Sequence, residues 1–320
     1  MVPLPGTPER FRVVFMGTPD FACTSLAALL AGPDRVVAVV CQPDKPRGRG
    51  LAVVAPPVKS LALLAGVRVL QPAKLRDPEF EAVMRSLAPD LIVVAAYGKI
   101  LPRWLLDLPG HGCVNVHASI LPRHRGAAPI QWAILAGDSE TGVTIMAMNE
   151  EMDAGDILLV RRTPIDPGDT AGTLTERLAI LGAEALMDAL VEEAAGRRHP
   201  IPQPAVGMTF APRVEREHGR LDWQRSAVEL ERAVRAFAPV PGAFTTLDGH
   251  PLKVHRAAIV PDQNGAPGRV LHAGAAGIVV GTGAGALALL EVQPGGKRRM
   301  EARAFLAGHP VSPGTCLGTA

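Results

Sequence analysis

The chain contains a single tyrosine in 320 residues, and aromatic residues make up only 4% of it. With abundant Ala and Arg, this scarcity reads as a GC-rich coding background and carries little functional weight. Cysteine is also sparse: Cys23, Cys41, Cys113 and Cys316 show no CxxC pairing and no metal-ligand spacing. That excludes a disulfide framework and predicts reduced, mostly buried thiols of a cytosolic protein, with no metal site. No run of about 18 apolar residues is present, so no membrane-spanning helix is expected. The first ten residues lack an apolar core and do not read as a signal peptide. Charge of one sign is lacking too. The formal net charge is +2, which excludes an obligate polycation. Finally, there is no GxGxxG after the first strand, so a nicotinamide or flavin cofactor is poorly supported.

What is present is an ordinary globular composition, 48% hydrophobic and 20% charged, in a chain long enough for two domains. Phe11–Met16 reads as a strand ending at Gly17. Thr18-Pro19-Asp20 then supplies an N-cap, a proline at the first helical position and a first-turn acid. Strand and helix patterns alternate from there to a long amphipathic helix over Thr173–Glu193, which predicts an α/β domain with a doubly wound, mostly parallel sheet. Gln42 to Pro57 is long for a connection in such a sheet and carries Lys45, Arg47 and Arg49 among glycines and prolines. It reads either as a solvated basic loop or as one that contacts a polyanion. His199-Pro-Ile-Pro-Gln-Pro204 is a stiff linker. Beyond it one helix, Ala227–Phe237, precedes five short strands, the pattern of a small β-barrel of the oligonucleotide-binding type. The expected division is a Rossmann-like domain over 1–198, a linker over 199–215 and a barrel domain over 216–320. From Arg216 onward twelve Lys and Arg stand against eight Asp and Glu, so the positive balance lies in the second part.

The most informative stretch runs from Gly112 to Gln131. Its opening β-branched run places Asn115 and His117 two residues apart, on one face of a strand. Pro122 and Gly126 then stop regular structure, and Pro129 opens a helix. Open α/β sheets present chemistry at such carboxyl edges. Asp153, in an acidic loop one strand later, is placed to orient His117 or take a proton. An amide donor, an imidazole and a carboxylate in one cleft suit acyl-type transfer through a tetrahedral intermediate. With no Ser or Cys nucleophile in an elbow, direct attack by the substrate is expected. Spacing alone also permits a structural histidine, an asparagine satisfying a strand end and an aspartate in an ordinary turn.

These motifs resemble those of the methionyl-tRNA formyltransferase family. The resemblance is carried by Phe-Met-Gly17-Thr-Pro-Asp-Phe, Gln42-Pro-Asp-Lys-Pro-Arg-Gly-Arg49-Gly50, Asn115-Val-His117, Ser119-Ile-Leu-Pro122, Arg125-Gly-Ala-Ala-Pro-Ile-Gln131 and Met152-Asp-Ala-Gly-Asp156, and it continues to Gln293-Pro-Gly-Gly-Lys297. It implies 10-formyltetrahydrofolate as donor and the α-amino group of initiator methionyl-tRNA as acceptor. It also implies catalysis by Asn115, His117 and Asp153, folate contact by Ser119, Ile120, Leu121 and Pro122, and tRNA contact by Lys45, Arg47 and Arg49. Two features depart from the family pattern. Leu-Ala-Val-Val-Ala follows Gly50 where lysines are common, and Val240 stands where a tryptophan is common. Competing readings are a formyltransferase with a small amine acceptor, a 10-formyltetrahydrofolate hydrolase, and a non-catalytic RNA-binding protein. A cytoplasmic monomer is expected, since no coiled-coil heptads are visible.

Overall fold

The computed structural model describes residues 10–47 and 52–318. They fall into two compact units: residues 1–129, 140–164 and 175–211 form one, and 130–139, 165–174 and 212–320 the other. Residues 199–211, read as most of the linker, thus group with the first unit.

The elements up to the middle of the chain are β1 (Arg12–Gly17), α1 (Asp20–Ala31), β2 (Arg35–Val40), β3 (Lys45–Arg47), β4 (Ala52–Val54), α2 (Pro57–Leu64), β5 (Val69–Leu70), α3 (Pro78–Leu87) and β6 (Leu91–Ala95). There follow α4 (Arg103–Leu106), β7 (Cys113–His117), β8 (Arg125–Gly126), α5 (Pro129–Ala136), β9 (Glu140–Ala147), β10 (Ile157–Pro164), α6 (Ala171–Ala194) and β11 (Phe210–Ala211). Seven strands form one sheet in the order β10-β9-β7-β6-β1-β2-β5. The five from β5 to β7 run parallel, whereas β9 pairs antiparallel with both β7 and β10. After β5 the chain returns across β2 and β1 to β6, so the order reverses between β1 and β6. That is the switch point above which doubly wound sheets bind ligands.

Strand alternation sorts the core into two faces. Val14, Met16, Ile92, Val94 and Cys113 pack with Phe80 and Met84 of α3 and Leu105 of α4. Val116 points the other way, where a Cβ on Gly182 of α6 would lie 2.9 Å from its Cγ1. Asn115 and His117 share the parity of Cys113 and extend its row to the strand end. Helix starts follow local chemistry with one correction. The Asp77 carboxylate accepts the Glu79 N–H at 3.0 Å with Pro78 behind it, a cap the sequence spells out. At α1 the N-cap is Pro19 without a side-chain bond. The Thr18 hydroxyl instead accepts the Gln42 N–H at 3.2 Å, because the end of β2 lies beside it.

The second unit holds α7 (Ala227–Ala236), β12 (Ala243–Leu247), β13 (His250–Val260), β14 (Val270–Gly274), β15 (Gly277–Gly281), β16 (Ala286–Pro294), β17 (Met300–Glu301) and α8 (Ala302–Gly308). Its antiparallel sheet has the order β12-β13-β16-β15-β14, with β17 on β16. Residues 314–318 join the two edges: Gly314 N–H bonds Val270 O at 2.7 Å beside β14, and Gly318 N–H bonds Thr246 O at 2.9 Å on β12. Joining the edges removes the unpaired rims an open sheet would expose. Leu221, Trp223, Leu230, Val234, Ile278, Leu289 and Phe305 fill the interior. The buried Trp223 indole N–H donates to Thr245 Oγ1 at 3.1 Å.

Candidate active site

β7 carries Asn115 and His117 to the carboxyl edge of the sheet, 9% and 5% exposed. The His117 ring is held from both sides. Its Nε2 lies 3.0 Å from the carbonyl oxygen of His124, which can only accept, so that nitrogen bears a proton. Its Nδ1 faces Asp153 Oδ2 at 3.6 Å, ion-pair range and longer than a hydrogen bond. Both ring nitrogens thus face acceptors.

Asp153 occupies the turn between β9 and β10 with φ of +51°, the left-handed region. Its Oδ2 accepts the Gly126 N–H at 2.8 Å, and its Oδ1 lies 3.4 Å from the Asn115 amide nitrogen. The structure therefore brings the three expected catalytic side chains together. Gly155 makes this turn possible, since a Cβ there would fall 1.7 Å from the Ala147 carbonyl oxygen.

Ser119–Pro122 continues from β7. Ser119 and Leu121 are buried at 0% and 3% exposure, while Ile120 and Pro122 are half-buried. The Ser119 hydroxyl donates to the Arg123 carbonyl at 2.6 Å. The Thr144 hydroxyl donates to Ser119 O at 2.7 Å and accepts the Leu121 N–H at 3.1 Å. This segment presents the edges of Ile120 and Pro122, with its polar side chain spent on holding its own turn.

The basic segment forms a hairpin, with β3 antiparallel to β4. Lys45 is exposed on it, Arg47 ends β3, and Arg49 lies outside the described residues. The base of the hairpin is tied to the sheet. Asp44 receives Gln71 Nε2 at 2.7 Å and Lys59 Nζ at 2.7 Å, and both bonds hold its carboxyl below the usual range. Gln42 Nε2 reaches Tyr97 O at 3.1 Å, at the carboxyl end of β6.

Several contributors to the site escape sequence reasoning. The His124 carbonyl and Gly126 N–H are main-chain groups, which residue identity does not reveal. Gln203 and Arg125 meet across 78 residues, and only the Pro-Gln-Pro setting of Gln203 hinted at a fixed position. All four cysteines are free, and burial pushes the Cys41 and Cys113 thiols up to about 11 and about 12. Among the described residues, no group of three or more His, Cys, Asp or Glu is arranged to hold a metal ion.

Both units of the chain match known proteins. Residues 10–190 match the Formyl transferase model and residues 213–310 the model for the Formyl transferase C-terminal domain. The methionyl-tRNA formyltransferase of Myxococcus xanthus is 57% identical over 307 residues, covering 96% of this chain and 98% of that protein. That of Geobacter sulfurreducens is 47% identical, covering 97% of each. Among solved structures, an N-formyltransferase from Helicobacter canadensis in complex with folinic acid and dTDP-3-aminofucose superposes with a TM-score of 0.66 at 16% identity, over 90% of this chain and 99% of that one. At that identity the likeness speaks for the fold alone. With matches of this extent in both units, the chain belongs to the methionyl-tRNA formyltransferase family.

Proposed function

We propose that the chain transfers the formyl group of 10-formyltetrahydrofolate to the α-amino group of methionine on initiator tRNA, at the start of translation. The observation that carries this reading is the convergence of Asn115, His117 and Asp153 at the carboxyl edge of β7, in a chain with full-length formyltransferase relatives. A free α-amino group has a pKa of about 7.7–8.0, and an ester neighbour lowers it, so the neutral amine is present without a strong base. As the amine nitrogen bonds to the formyl carbon, negative charge develops on the formyl oxygen. Asn115 donates to that oxygen, such a donor contributing about 2.7–4 kcal/mol, and a protonated His117 held between His124 and Asp153 adds its positive charge to the cleft. The C–N10 bond then breaks, and the proton lost by the amine reaches N10 with help from Asp153. Ser119–Pro122 lines the folate side.

Lys45, Arg47 and Arg49 contact the acceptor end of the tRNA, and the positive balance of residues 216–320 supplies a less specific contact along its body. The neutral sequence Leu-Ala-Val-Val-Ala after Gly50 weakens the first of these relative to a lysine-rich loop. No helix among the described residues is long and apolar enough to cross a membrane. The reading places the reaction in the cytoplasm, performed by single copies of the chain.

The test is incubation with 10-formyltetrahydrofolate and charged initiator tRNA, following label into formyl-methionine. Transfer is expected, and an Arg49→Leu variant should raise the KM for tRNA while sparing folate. Formate release without formyl-methionine would favour hydrolysis, and no folate chemistry would end the enzymatic reading.

A further inference from the structure

We infer that Gln203, in the segment that reads as a linker, is a positioning residue that fixes Asp153 for the formyl-transfer step. The inference rests on the function proposed above. An aspartate enters the left-handed region more readily than most non-glycine residues, but which conformation it keeps is set by the contacts around it. Asp153 has φ of +51°. Gln203 supplies such contacts. Its Nε2 donates to the carbonyl oxygens of Asp153 at 2.8 Å and Gly155 at 2.7 Å. Its Oε1 accepts both Nε and a terminal nitrogen of Arg125, at 3.0 and 2.7 Å.

The orientation of this amide is forced. Carbonyls only accept and a guanidinium only donates, so all four bonds form only with the NH2 on the loop and the oxygen on the arginine. Glutamate could keep the arginine contact, but it would set a carboxylate against two carbonyls. Arg125 also precedes Gly126, whose N–H holds the Asp153 carboxylate at 2.8 Å. The two-residue strand β8 thus grips Asp153 twice, by main chain directly and by side chain through Gln203. Its parallel partner β11 keeps β8 in place. Pro202 and Pro204 flank the glutamine and restrict its backbone, so the amide is presented with little freedom left to lose.

The test compares Gln203→Glu and Gln203→Leu with wild type. Four quantities are read: kcat for formyl transfer, KM for folate and for charged tRNA, Tm, and the NMR signals of the His117 imidazole. Both variants should lower kcat on the order of 10- to 100-fold, the effect of sub-ångström to 1 Å misplacement of a catalytic group. Both KM values should stay within about twofold, since neither substrate is held by this clamp. Gln203→Glu retains its partner Arg125 but loses both carbonyl contacts, so its Tm should fall only modestly and it should still unfold cooperatively, which separates misplacement from failure to fold. The His117 signals should move in both variants as the facing carboxylate shifts. Wild-type kcat in Gln203→Glu, or unmoved His117 signals, would overturn the inference. Those signals need no substrate, so they test the clamp even if the wild type fails to formylate tRNA.

Discussion

Asn115 is nine-tenths buried, yet among the described residues its amide nitrogen has only a long 3.4 Å approach to Asp153. A buried donor that is only loosely engaged suits a group whose stronger partner forms during the reaction. Asn115→Ala should lower kcat about 10²–10³-fold, the loss typical of one oxyanion donor. The KM for tRNA should change little, and single-turnover measurement of formyl transfer checks both. At this scale the pairing of Asn115 with His117 was legible, because a two-residue repeat on a strand is a local property. The proton on His117 Nε2 was not, since it follows from a main-chain carbonyl at His124. Ser119 shows the opposite limit: its side chain invites a ligand in sequence and is spent on the Arg123 carbonyl in the fold.

Among the elements, the turn joining β9 to β10 does the most for the site, and Gly155 permits it. A methyl group there would meet the Ala147 carbonyl oxygen at 1.7 Å, which backbone cannot evade without opening the turn. Gly155→Ala should therefore destabilise by about 1–3 kcal/mol, as overpacking does. The same shift displaces Asp153, so thermal unfolding and kcat should fall together. Retention of wild-type kcat would show that the turn tolerates the methyl and that Asp153 is held by other means. Elements with local signals are legible, as the expected helices Thr173–Glu193 and Ala227–Phe237 show against α6 (Ala171–Ala194) and α7 (Ala227–Ala236). Thr18 was misread as a cap because its actual partner, Gln42, comes from the neighbouring strand. The pairing of β8 with β11 joins residues about 85 positions apart, and no local pattern announces it.

For the whole molecule, several carboxylates favour their charged form in the fold. Asp44, Glu192, Glu229 and Glu291 are held below their ordinary range, Asp44 first by Gln71, Glu192 by Arg197, Glu229 by the Ser226 backbone and hydroxyl, and Glu291 by Arg299. Groups depressed in the folded state bind fewer protons there than when unfolded. Their contribution is complete above the unfolded carboxylate range, about pH 4, and is lost as pH falls through the lower folded values. Tm should be flat from neutral pH to about 5 and drop below about 4. A Tm that held constant to pH 3 would contradict this. The sequence by itself determined the class of both domains and the pair Asn115–His117, since hydrophobic period, caps and strand parity act over a few residues. It also determined the family, through motifs quoted residue by residue. Only the tertiary structure decided which groups surround Asp153. The carbonyl of His124, the amide of Gly126 and the side chain of Gln203 reach the site by backbone contacts and by pairings up to 78 residues long, and the packing of the whole chain sets those.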